Sequence, residues 1–258
     1  MMGMSGLSKA GAMAWSLVCF TAVAILAVMG LRMFSPREAH IDVPRDRYPV
    51  KGIDVSSHNG GDIDFEAVAA DSVDFVYIKA SEGNTFRDTL FYRNYAGAVR
   101  AGLKVGAYHY FRFDCEGWRQ GRNLLDAIDR LSFDLPLAID VEEWGNVRNY
   151  TTDDVVRQLT DMVDYLHEYG YKVIIYTNRT GYNRFIRFRL DHIPVWISSF
   201  YPRPLDAHWT LWQHSHKGRV RGIEGVTDLD TFNGSRVEWE SWLEEMGREY
   251  VHGHLRKI

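Results

Sequence analysis

The chain has 258 residues, with 30 Lys and Arg against 34 Asp and Glu and a net charge of −4. Its length and 46% apolar share suffice for one sizeable core, and 14% aromatic residues exclude a chain disordered in bulk. The mildly acidic balance offers no basic field to a polyanion, so nucleic acid is excluded as the expected partner.

In chain order, the first element is an uncharged, mostly aliphatic run from residue 10 to 31, between Lys9 and Arg32. About 20 such residues cross a bilayer as a helix. Residues 1–33 therefore read as one N-terminal transmembrane helix, either a retained anchor or a signal segment cleaved near Ala22-Val23-Ala24. Lys9 precedes it, whereas Arg32, Arg37, Arg45 and Arg47 follow. Taken alone, that balance leaves the larger part of the chain in the cytoplasm. Residues 34–48, with Pro36 and Pro44, read as a polar linker.

From residue 49 onward, short β-rich runs alternate with amphipathic ones. The strand runs are 52–56, 75–80, 103–111, 137–141, 172–177, 195–198, 210–214 and 226–229. Most are continuously apolar, as strands covered on both faces of a parallel sheet require. Helices are predicted at 64–70, 89–101, 118–132 and 152–169. In the last, Val155, Val156, Leu159, Met162, Val163 and Leu166 form a stripe of helical period, and Gly170 supplies the stop. After the fifth strand the spacers are too short and too rich in Pro and Gly for full helices. The expected fold class is α/β: an irregular (β/α) barrel of TIM-barrel type, eight strands with about five helices. It spans residues 49–246 as one domain, with 247–258 as a C-terminal tail.

Cys19 and Cys115 make no disulfide framework, and no CxxC or HExxH spacing supports a metal site. Neither a metal nor another cofactor is expected. The histidines at 208, 214 and 216, and at 252 and 254, have incidental spacing.

Barrels of this kind carry their chemistry at the C-terminal ends of the strands. Those ends carry Asp54, Lys79, Glu82, Tyr108, Tyr110, Asp140, Glu142, Tyr176, Trp196, Trp212 and Asp228. Asp140 and Glu142 are the sharpest pair: residues two apart on a strand share a face, so both carboxyls enter one pocket. Repulsion and burial then raise one pKa and leave a protonated acid beside an ionised base. That combination suits glycosidic bond cleavage. Glu143 is expected to face away.

Four motifs, Gly52-Ile-Asp-Val-Ser-Ser-His-Asn-Gly60, Phe75-Val-Tyr-Ile-Lys-Ala-Ser-Glu-Gly83, Gly106-Ala-Tyr-His-Tyr-Phe111 and Leu137-Ala-Ile-Asp-Val-Glu142, resemble those of glycoside hydrolase family 25. These are the Chalaropsis-type lysozymes, N-acetylmuramidases of bacteria, phages and some fungi. Ile175-Tyr-Thr-Asn178, Trp196-Ile-Ser-Ser199, Leu211-Trp-Gln213 and Val226-Thr-Asp-Leu-Asp230 continue the likeness in order, over about residues 50 to 235.

The resemblance implies cleavage of the β-1,4 bond between N-acetylmuramic acid and N-acetylglucosamine in peptidoglycan. Glu142 matches the family's general acid. Asp140 matches its partner, acting as a base or orienting the substrate acetamide. Asp54 and Asp228 match two further acids that tune charge and hold the sugar. Tyr108, Tyr110, Tyr176, Trp196 and Trp212 would line the groove, with core packing as the alternative for each. Lys79 and Glu82 either contact substrate or pair with each other. One departure stands out: the family usually has Asp-x-Asn where this chain has Asp228-Leu-Asp230. The extra carboxyl either shifts the pH optimum or points outward.

A peptidoglycan substrate overrules the charge-based orientation and implies export. The expected protein is a monomer on the inner membrane facing the periplasm or cell wall, or one secreted after signal cleavage. Two other functions stay open: a non-catalytic peptidoglycan-binding protein on the same barrel, or a hydrolase of another amino-sugar glycan.

Overall fold

The computed structural model describes residues 43–129, 131–200 and 208–247. The expected membrane segment, most of the linker and nearly all of the tail lie outside the described residues. Among the described residues no helix is long and apolar enough to cross a membrane.

The apolar runs form β1 (Lys51–Val55), β2 (Phe75–Glu82), β4 (Lys104–Tyr110), β5 (Leu137–Asp140) and β6 (Val173–Asn178). They continue as β7 (Val195–Ser198), β8 (Leu211–Gly218) and β9 (Thr227–Phe232), while β3 (Phe86–Arg87) is a short hairpin partner of β2. The order β1-β9-β8-β7-β6-β5-β4-β2 closes on itself through β1–β2 pairing, giving the expected eight-stranded barrel. The parallel pattern fails at one strand: β9 runs antiparallel to both β8 and β1. A parallel return needs a crossover of about a dozen or more residues, and only residues 219–226 separate β8 from β9. The first residues of β9, instead of its last, therefore stand at the end where β1 finishes.

The helices are α1 (Phe65–Ala70), α2 (Phe91–Arg100), α3 (Gly117–Ile128), α4 (Thr152–Glu168) and α5 (Arg236–Gly247). The first four lie where the periodicity predicts them, and α5 has no counterpart among those predicted spans. Thr151 and Asp154 form a capping box that starts α4. Its buried face is Val155, Leu159, Met162, Val163 and Leu166, and Gly170 follows at φ 82°. Between β6 and β7 there is only a helical turn, Arg179–Gly181, running into a π-helix, Tyr182–Ile186.

Alternation along each strand splits the core in two. Ile53, Val76, Val105, Ile139 and Ile175 face outward to the helices. Phe75, Tyr77, Ala138, Ile174, Trp196, Leu211 and Phe232 fill the interior, with Trp239 and Leu243 of α5 packed on them. Small residues stand opposite large ones inside: Gly52 pairs with Phe75 and Gly106 with Tyr77. A Cβ at Gly52 would stand 2.2 Å from the Phe75 ring. Gly52→Ala should therefore cost about 1–3 kcal/mol through overpacking. A lowered urea midpoint at unchanged slope would register this, and an unchanged midpoint would contradict it.

Candidate active site

The interior face carries polar residues at one end, where β1, β2 and β4 to β8 finish and β9 begins. Asp54 of β1 lies directly across from Asp228 of β9. Asp140 ends β5, and Glu142 follows two residues later. Because β5 is short, side chains from its neighbours hold this stretch. Thr177 Oγ1 donates to the Val141 carbonyl at 2.7 Å, and Asn146 Nδ2 donates to the Glu142 carbonyl at 2.9 Å. Glu143 faces away, as expected, and pairs with Arg184.

Gln213 of β8, not among the sequence candidates, ties three strands together. Its Oε1 accepts from Tyr176 Oη at 2.8 Å and Ser198 Oγ at 3.1 Å, and its Nε2 donates to Asp54 Oδ2 at 2.8 Å. Trp144 was likewise missed: it is 80% exposed two residues after Glu142, and its carbonyl accepts from Tyr110 Oη. Its adjacency to the Asp-x-Glu pair was the available signal. The signal for Gln213 was its alternation with the apolar Leu211.

The carboxyls share a desolvated space. Burial first, then the charge of Asp228, raises Glu142 to about 7. Burial raises Asp228 to about 6, with His216 opposing. Asp140 lies well above the usual carboxylate range, from burial and then Glu142, with Lys79 pulling the other way. Asp54 is raised by burial, then by Asp228 and Asp230, against its bond from Gln213. Tyr108 is raised by burial and by Asp54, Asp140 and Asp228, which places its phenol among three of these acids. Asp140 and Glu142 titrate as a unit. Lys79 favours the charge on Asp140, whereas no cation favours it on Glu142.

Lys79 and Glu82 pair at 2.8 Å. Strict alternation would put residues three apart on opposite faces. A bulge between Lys79 and Ser81 in the pairing of β2 with β4 returns Glu82 to the inner face. The ammonium also lies 5.2 Å from the Tyr110 ring centre and 5.4 Å from that of Phe86.

Three alternatives that the sequence left open are decided by burial, and none of the three side chains lines an open groove or points to solvent. Trp212 does not line the site: Leu211 and Gln213 take the inward positions, and Trp212 packs outside the barrel against Tyr48 and Trp209. Its Nε1 donates to the Ser199 carbonyl at 2.7 Å. Trp196 faces inward but is only 2% exposed, stacked on Tyr77 beneath the acids. It supports the floor without lining an open groove. Asp230 does not point outward; it is 1% exposed and accepts from Trp196 Nε1 at 2.8 Å. A separate surface recess of about 590 Å³, lined in part by Asn84, Arg87, Trp118 and Arg122, contains none of these acids.

A buried acid and a carboxylate facing one pocket, on a frame of hydrogen-bonded neighbours, can protonate a leaving oxygen and stabilise positive charge. The sequence profile of glycosyl hydrolases family 25 matches residues 53–223. The autolytic lysozyme of Clostridium acetobutylicum is 36% identical over 186 residues, 71% of this chain and 56% of that protein. The chain thus aligns with just over half the length of that relative. A family 25 glycosyl hydrolase from Bacillus anthracis is 32% identical, with TM-score 0.72, over 79% of this chain and 97% of that one. The bacterial lysozyme from Streptomyces coelicolor is 28% identical, with TM-score 0.67, over 78% and 98% respectively.

Proposed function

Because the chain belongs to glycosyl hydrolases family 25, we propose that it is a lysozyme-type muramidase cutting the β-1,4 bond between N-acetylmuramic acid and N-acetylglucosamine. The observation that carries the site assignment is the Asp140–Glu142 pair. Its two carboxyls are both raised by burial, and a lysine favours charge on Asp140 alone. Glu142 donates its proton to the leaving oxygen. The Asp140 carboxylate stabilises the charge that develops on the sugar, as a base or by orienting the acetamide. Asp54 and Asp228 hold the sugar from the opposite wall. Tyr108, Tyr110 and the exposed Trp144 offer it flat surfaces.

Residues 49–246 form the catalytic domain, which acts as a monomer. Residues 1–33 carry it across the inner membrane as an anchor or cleaved signal, so that it faces the periplasm or cell wall. The substrate's location supports this orientation over the charge balance around residues 10–31.

The test is incubation of the full chain with purified peptidoglycan, with the new reducing-end sugars identified by mass spectrometry. N-acetylmuramic acid ends are expected. N-acetylglucosamine ends would reassign the bond, and an intact but bound glycan would leave a binding protein instead of an enzyme.

A further inference from the structure

The mechanism leaves Asp230 without a task, although its surroundings are specific. It lies on the inward face of β9, one layer below Asp228, across from Gly52 of β1 and Gln213 of β8. Trp196 Nε1 satisfies its Oδ1, while Oδ2 is buried with no hydrogen-bond partner among the described residues. Asp54 is its diagonal neighbour on the same inner face, since Gly52 pairs with Asp230 and Asp54 with Asp228. Gln213, the neighbouring amide, directs its Nε2 to Asp54 instead.

Two carboxylates cannot hydrogen-bond to each other, whereas an acid and a carboxylate can. The charged groups bearing on Asp230 are Asp228 on its own strand and Asp54 on β1, and both are acidic. Strands β8 and β7 face it with the neutral Gln213 and Trp196. Farther round the barrel, Asp140 of β5 acts on Asp54, and the phenols of Tyr108 and Tyr176 lie close enough to feel Asp54's charge. Burial and Asp228 push Asp230 well above the usual carboxylate range, and Asp54 is raised likewise.

We propose that Asp230 and Asp54 share a single proton beneath the site, which makes Asp230 the positioning residue that holds the Asp54 carboxylate. Gln213 fixes one side of Asp54 and the shared proton fixes the other, so Asp54 meets the substrate in one orientation. The pair then carries one negative charge, as Asp54 would beside an amide. Its importance for activity rests on the muramidase reading; the shared proton does not.

The linkage has a definite sign. A carboxyl whose folded pKa is raised contributes stability that is fully present below its unfolded value, about 3.9, and is lost as pH rises through the folded value. Asp230→Asn replaces the proton by a fixed N–H and removes that dependence. The full-chain variant should melt roughly 3 °C or more above the parent at pH 8, with the gap closing near pH 4. Carboxyl ¹³C NMR at pH 7 should show one protonated aspartate fewer. On peptidoglycan, Asp230→Leu should lower kcat about tenfold or more, and Asp230→Asn should restore most of that loss. An unchanged count of protonated aspartates, or a melting difference that does not vary with pH, overturns the proposal. If no protein cleaves glycan, the muramidase reading fails, while the proton count and the melting curves still decide the shared proton.

Discussion

Replacing Glu142 by Gln should slow glycan cleavage by about 10²- to 10⁴-fold, the range typical of a lost general acid, while peptidoglycan binding persists. The amide keeps the shape of the side chain but has no proton to give the leaving oxygen. The pH dependence adds a signature that a folding defect would not copy. In the parent, kcat/KM should fall about tenfold per pH unit above roughly 7, as Glu142 loses its proton. The residual rate of Glu142→Gln should lack that limb. A rate within tenfold of the parent, or a limb that survives the substitution, would remove Glu142 from the acid's role. Stability should move oppositely. The raised pKa of Glu142 means that the folded parent loses stability as pH climbs toward 7, so Glu142→Gln should be the more stable protein at neutral pH and indistinguishable near pH 4.

Asp140→Asn should lower kcat by roughly 10²- to 10³-fold, as when one electrostatic stabiliser of a transition state is removed, with little change in KM. Asp140 is 9% exposed and its Oδ1 has no hydrogen-bond partner among the described residues, so that oxygen is committed to no structural bond. The same substitution should move the alkaline limb to lower pH. Glu142 raises the pKa of Asp140 through its charge, and the repulsion between them acts on both. Without that negative neighbour, Glu142 gives up its proton more readily. Steady-state kinetics across pH reads both effects. A loss in KM alone would recast Asp140 as a binding group.

The extent to which these residues could be read from sequence varies with the range of the forces involved. Asp140 and Glu142 were legible as a pair because two-residue alternation is a local property of the backbone, and the apolar run before them marks a buried strand. The strands and the first four helices were legible for the same reason: apolar periodicity and capping act within a few residues. Lys79 and Glu82 were not legible as neighbours from alternation alone. Only the pairing of β2 with β4 creates the bulge that brings Glu82 back to the inner face. Trp212 and Gln213 show a second limit. Adjacent residues must face opposite ways, but which one faces inward depends on how β8 sits between β7 and β9.

By itself, then, the sequence determined the strand and helix spans, the eight-strand count and the Asp-x-Glu pair, since each follows from steric and hydrophobic patterns within a short stretch. It also carried the ordered motifs that marked the family. The reversal of β9, the inward turn of Asp230, the meeting of Asp54 with Asp228 and the Gln213 network were decided only by the tertiary structure. Each depends on register and depth in a closed barrel, where residues far apart in the chain are brought across from one another by the ladder of hydrogen bonds.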